Sequence, residues 1–316
     1  MNKHAVISRR QLLAATAATI VVPARLARSQ EQNVKKPSFT GAIDAHVHVW
    51  TPDKQKYPRV SDPKKPDPLP LSFTPEELLA IARPSGVKRI VLIQMSFYRY
   101  DNTYMLETIE RFPGVFSGIG IVDHESGDPA RTMKELARGG VRGFRITAGR
   151  LDPATWLDSD GMQTMWRTAA DNGWAMCPLI NPEYLDSVDK MCTEFPQTRV
   201  VIDHFARLHR ADNTDPKGLD KLCGLARHKN THVKTSAFYV IGEGKAPYTE
   251  LGPMIRRLRD TFGADRLMWA SDCPFQVQNG HTYEDSIALI RDRLDFLSAD
   301  DRKAMLRGTA ERLFFA

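Results

Sequence analysis

The sequence predicts an α/β fold, a (β/α)8 barrel, on three observations. Eight apolar, β-branched runs lie between residues 42 and 270, amphipathic runs with helix-start signals separate them, and no linker interrupts the series after residue 41. Continuously apolar strands alternating with helices argue for a parallel sheet covered on its outside, and eight such units suit a barrel of about 250 residues. A doubly wound open sheet is the competing arrangement, but no GxGxxG follows an early strand to support it.

The strands are expected at 42–49, 89–95, 116–122, 141–147, 174–180, 199–204, 232–236 and 266–270. Helix openings punctuate them. Thr74-Pro75-Glu76-Glu77 has the form of a capping box with proline at the first helical position, and Asp128-Pro129 and Asn181-Pro182 are similar starts. Residues 57–70, rich in Pro and Lys, form a loop, and helices are expected around 282–296 and 299–313.

The chain of 316 residues is 42% hydrophobic and 26% charged, with a formal charge of +6. That charge belongs to the N-terminus. Lys3, Arg9, Arg10, Arg25 and Arg28 fall within the first 29 residues, which contain no acidic side chain, and the remainder balances 39 basic against 38 acidic groups. A near-neutral body offers no signal for nucleic acid. Residues 1–29, with the twin arginine Arg9-Arg10, an apolar segment over 12–22 and small residues at Ala27 and Ser29, resemble a twin-arginine export signal cleaved before Gln30. The segment is too short and too early for a membrane span, so no stable membrane insertion is expected. The organisation expected is an export signal over 1–29 and one barrel domain over 30–316, with the export machinery as partner and a periplasmic location.

Cys177, Cys192, Cys223 and Cys273 have no metal-ligand spacing. Free buried thiols are expected, and Cys192 with Cys223 is the first pair to test for a disulfide in an oxidising compartment.

Barrel active sites sit at the C-terminal ends of the strands, which selects the polar residues to consider. The first strand offers His46 and His48 in "IDAHVHVW". Two residues apart, they share a strand face, and Asp44 is expected on that face too. The second strand offers Gln94 and Ser96, the fourth Arg145 with Arg150 in the following loop, and the sixth Asp203, His204 and Arg207. The seventh offers Lys234 and Ser236, and the eighth Ser271 and Asp272. Trp50, Tyr57 and Phe97 are expected as pocket walls.

Together "IDAHVHVW", "IDHFAR" and "LMWASDCPF", in this order over residues 41–316, resemble the amidohydrolase superfamily, in the branch of sugar-lactone hydrolases and 2-pyrone-4,6-dicarboxylate lactonases. The resemblance implies a reactive centre of His46, His48 and Asp272 with His204 beside it. It implies Ser96 as a substrate contact and Arg145, Arg150 and Arg207 as carboxylate-binding arginines. The bridging lysine or glutamate of binuclear relatives has no counterpart on the fourth strand, and the fifth lacks their histidine. Two metals are therefore not expected.

No obligatory cofactor is expected, because crowded arginines oppose a cation. The alternative is one zinc or manganese ion held by His46, His48 and Asp272, possible donors for such an ion. The function expected is hydrolysis of a lactone bearing carboxylate groups. In that reading Asp272 is the general base, His46, His48 and His204 polarise the carbonyl, the three arginines grip the substrate, and Ser96 adds a hydrogen bond. The alternatives are a metal-dependent decarboxylase or amidohydrolase acting on an aromatic or cyclic acid, and a non-catalytic exported barrel that binds an acidic solute.

Overall fold

The computed structural model describes residues 41–60, 67–125, 127–208 and 216–316. The export segment, residues 1–29, lies outside the described residues. Eight parallel strands follow one another around the sheet in chain order. They are β1 (Ala42–Val47), β2 (Val87–Ile93), β3 (Phe116–Gly120), β4 (Val141–Thr147), β5 (Ala175–Leu179), β6 (Arg199–Ile202), β7 (Thr231–Thr235) and β8 (Leu267–Trp269). The sequence places all eight, with boundaries that differ by a few residues.

Between and after the strands run α1 (Pro75–Ala82), α2 (Thr103–Arg111), α3 (Pro129–Arg138), α4 (Asp160–Asn172), α5 (Leu185–Glu194), α6 (Pro216–Gly224) and α7 (Gly252–Phe262). They are followed by α8 (Tyr283–Ala288), α9 (Ala299–Lys303) and α10 (Thr309–Phe314). The start signals act as read. Thr74 accepts from Glu77 N at 3.3 Å while Glu77 accepts from Thr74 N at 2.6 Å, and Asp128 accepts from Arg131 N at 3.0 Å. Asn181 makes no such cap; it precedes a 3-10 turn, Pro182–Tyr184, that leads into α5. Among the described residues no helix is long and apolar enough to cross a membrane.

Inside the barrel, Ile43, Ala45, Val91, Ile93, Ile119, Cys177, Val201 and Met268 form one apolar cluster with Leu313 and Phe314 of α10. This helix closes the barrel end where the strands begin, and Glu311 pairs with Arg89 near the start of β2. The larger apolar cluster lies between sheet and helices. All four cysteines are free and buried, so the Cys192–Cys223 disulfide is not formed.

The last seam joins β1 to β8 just past their ends. Val47 bridges Cys273, His48 N donates to Cys273 O at 2.8 Å, and Asp272 N donates to His46 O at 2.9 Å. These backbone bonds close the barrel and set the three residues of the expected centre against one another.

Candidate active site

At that seam His46 Nε2, His48 Nε2 and Asp272 Oδ1 form a triangle with sides of 3.3, 3.4 and 3.5 Å. All three residues are buried. His48 Nδ1 lies 3.0 Å from Ile93 O. A carbonyl only accepts, so Nδ1 carries the proton and Nε2 turns a lone pair toward the triangle. In this tautomer His48 turns no proton toward a substrate carbonyl.

His46 is fixed from behind. Its Nδ1 lies 3.4 Å from Asp203 Oδ1 and 3.2 Å from Lys234 Nζ, and Arg145 reaches its Nε2 at 3.2 Å. Asp203 also takes Lys234 at 3.0 Å and Arg145 at 3.4 Å, so one buried carboxylate ties three strands' polar side chains together. Burial, then the Lys234 charge, holds His46 well below the ordinary histidine range, against Asp203, and the ring is neutral. Burial would raise Asp203, but Lys234, His46 and Arg145 hold it well below the usual carboxylate range.

His204 follows β6 in a turn whose four residues, His204, Phe205, Ala206 and Arg207, all have φ between 50° and 56°. Non-glycine residues in this left-handed region cost about 1–2 kcal/mol each. The turn places both His204 and Arg207 on the cavity wall. The Ser236 hydroxyl lies 2.8 Å from His204 Nδ1, and when it donates there, Nε2–H is left on the side of Asp272, whose Oδ2 is 3.9 Å away. Burial pushes His204 down to about 4, more than Asp272 and Asp203 raise it, so it too is neutral at pH 7. Burial alone would raise Asp272. His204, whose Nε2–H is on its side, leads the groups that outweigh burial, and the carboxyl is held below the usual range, hence ionised.

The cavity above the triangle has a volume of about 340 Å³. His48, Ser96, Arg145, His204, Arg207, Tyr239 and Asp272 supply its polar lining, and Met95, Leu179, Val240, Ile241 and Phe275 most of the rest. Tyr239, which the sequence reading did not single out, donates its hydroxyl to Asp272 Oδ2 at 2.8 Å. It sits in the loop after β7, where no motif marks it.

Three expectations are corrected. Asp44 does not share the face of His46 and His48. The β1–β2 register shifts between Asp44 and Val47, which breaks the alternation. Asp44 instead accepts from Ser271 N at 2.9 Å and from the Tyr283 hydroxyl of α8 at 2.7 Å, and burial, against these bonds, pushes its carboxyl up to about 6. Arg150 is exposed in the turn that Gly149 opens at φ 61°, and it does not line the cavity. Trp50, Tyr57 and Phe97 do not line it either. Trp50 packs edge-on to Phe97 and donates to Pro70 O at 3.0 Å, and Tyr57 donates to Glu107, so these aromatics secure the loops at the barrel mouth.

His46, His204 and Asp272 offer ligand atoms within 4.8 Å of one another. The triangle with His48 is closer still, and no hydrogen-bond donor satisfies Asp272 Oδ1 among the described residues. Two imidazole lone pairs and a carboxylate oxygen at these separations fit donors that share one ion at about 2 Å. Arg145, the β4 residue that reaches the centre, brings a cation rather than a second set of ligands. The arrangement can hold one divalent ion, or one water molecule between a lone pair and a carboxylate.

The family model described as Amidohydrolase matches residues 43–316. The L-fucono-1,5-lactonase of Burkholderia ambifaria is 29% identical over 278 residues, which span 86% of this chain and 94% of that protein. The 4-sulfomuconolactone hydrolase of Hydrogenophaga intermedia is 26% identical over 282 residues, 87% of this chain and 88% of its own. The crystal structure of a Pseudomonas putida protein assigned as a 2-pyrone-4,6-dicarboxylic acid hydrolase superimposes with a TM-score of 0.73 at 25% identity, over 88% of this chain and 98% of that one. With the match running from the first strand to the C-terminus, this chain belongs to the amidohydrolase family.

Proposed function

We propose that this protein hydrolyses a lactone bearing acidic substituents, by attack of water on the lactone carbonyl. The observation that carries the reading is the lone-pair triangle of His46, His48 and Asp272 beneath a cavity lined by Arg145 and Arg207. Kinship with two lactone hydrolases supports it.

Water is held by Asp272 Oδ1 and the His48 Nε2 lone pair. As its oxygen bonds to the carbonyl carbon, its proton passes to Asp272, which is ionised and ready to accept it. Charge building on the carbonyl oxygen is met by His204 Nε2–H and the Arg145 guanidinium, both on the cavity wall. The ring C–O bond then breaks and the ring oxygen leaves with the proton that Asp272 returns, to give a hydroxy acid. Tyr239 pins the outer carboxylate oxygen, so that Oδ1 stays turned toward the water. Arg207 receives the acidic substituent, and Ser96 adds a neutral hydrogen bond.

A divalent ion fits the same donors. His46, His48 or His204, and Asp272 would hold it, and when bound it would supply Lewis-acid polarisation and a more acidic water. The protein is further proposed to leave the cytoplasm through the twin-arginine segment of residues 1–29 and to act in the periplasm.

The test is lactone hydrolysis by the parent and by Asp272→Asn, each with and without chelator. The expected loss is about 10²–10⁴-fold in kcat with an unchanged thermal melt. A folded Asp272→Asn with near-parental turnover removes the proposed base.

A further inference from the structure

We infer that the substrate is a single lactone ring without hydroxyl substituents that carries one anionic group. The inference rests on the lactone-hydrolase reading and names its substrate class.

Size comes first. About 340 Å³ is near the lower end of small-molecule sites, which run from about 300 to 1,000 Å³, and it suits one ring with a short substituent.

The lining arginines divide the labour. Arg150 stands outside the cavity, so Arg145 and Arg207 are the guanidinium groups that line it among the described residues. Arg145 lies within the reaction centre, 3.2 Å from His46 Nε2 and 3.4 Å from Asp203 Oδ2, the place that the proposed mechanism gives the lactone carbonyl. Arg207 reaches Asn181 Oδ1 at 3.5 Å and stands at the cavity wall, where a substituent would meet it. Among the described residues one arginine thus serves the carbonyl and one the substituent.

The remaining lining disfavours hydroxyl groups. A hydroxylated ring would need a donor or acceptor for every hydroxyl it buries, because unpaired polar groups are costly inside a protein. Beyond the groups already assigned, Ser96 is the one neutral hydroxyl on the wall among the described residues, since the Tyr239 hydroxyl is given to Asp272 Oδ2. The apolar part of the lining is Met95, Leu179, Val240, Ile241 and Phe275. Such a surface accepts an apolar ring and penalises a polyol.

The experiment compares kcat/KM of the full exported chain on four probes. They are a γ-butyrolactone with one carboxymethyl group, its methyl ester, the same ring with two carboxylates, and L-fucono-1,5-lactone. The monoacid is expected to exceed each of the others by about tenfold or more. Arg207→Met, checked for folding by circular dichroism, is expected to shrink the acid-over-ester preference about tenfold, mainly through KM. Faster turnover of the sugar lactone or the diacid overturns the inference while leaving lactone hydrolysis in place. An unchanged preference in folded Arg207→Met also overturns it. Failure to open any of the four overturns the lactone-hydrolase reading itself.

Discussion

Left-handed turns fall on glycine at one end of the barrel, and on glycine and larger residues alike at the other. Where strands begin, the turns use glycine: Gly41 before β1, Gly86 before β2, Gly114 before β3, Gly140 before β4 and Gly173 before β5 all have positive φ. Where strands end, Gly127 after β3 and Gly149 after β4 serve in the same way, but His204 to Arg207 after β6, Ala237 after β7 and Asp272 after β8 also take φ between 50° and 65°. Glycine adopts this region without steric cost, whereas each of the others carries about 1–2 kcal/mol. The beginning of the barrel needs only to turn the chain. The mouth needs side chains at those very positions, and the structure there accepts strain to aim them. The interior shows the same contrast, with Leu313 and Phe314 closing one end on apolar neighbours and Asp203, Lys234, Arg145 and His46 buried toward the other.

If the closed end serves stability and the mouth chemistry, damage to each should separate. The largest effect expected at the closed end is from Leu313→Ala, which removes a core side chain of α10 and should cost about 2–5 kcal/mol in denaturant unfolding, with kcat per folded molecule retained. Equal losses of stability and of kcat would blur the division.

A second effect depends on pH. His232, at the start of the barrel, is buried with Nδ1 3.0 Å from Asn230 O, and burial pushes it down to about 4. The unfolded chain binds a proton there between pH 6.5 and 4 that the folded chain refuses, so this histidine makes stability fall as pH falls through that window. Its share of the loss between pH 7 and 5 is about 2 kcal/mol. His204 acts in the same direction. Asp44, pushed up to about 6, opposes both, because its contribution is lost as pH rises from 4 toward 6. Unfolding titrations of His232→Gln should show a shallower pH dependence than the parent, and identical slopes would mean the ring is not held neutral. Smaller still, Gly173→Ala at φ 67° should cost about 1–2 kcal/mol in stability, with no change in kcat.

Much of this division was legible in the sequence. Eight apolar runs gave the strands because both faces of a barrel strand are buried, and β1 and β7 are buried along their whole length. His46, His48, His204 and Asp272 were legible because strand ends converge in this fold. What escaped depends on geometry that periodicity does not encode. The register shift after Asp44 turns that carboxylate toward Tyr283, and the path of one turn takes Arg150 out of the cavity. Tyr239 enters from an irregular loop, and the tautomer of His48 is set by a carbonyl on another strand, Ile93 O.

The central claim is water attack on a lactone carbonyl at the His46, His48 and Asp272 centre. It is tested most directly by enzymatic hydrolysis of the carboxymethyl butyrolactone in ¹⁸O-labelled water, with the product read by mass spectrometry. Water attack at the carbonyl carbon places one labelled oxygen in the newly formed carboxylate and none in the hydroxyl. Label in the hydroxyl, or release of carbon dioxide in place of ring opening, would contradict it.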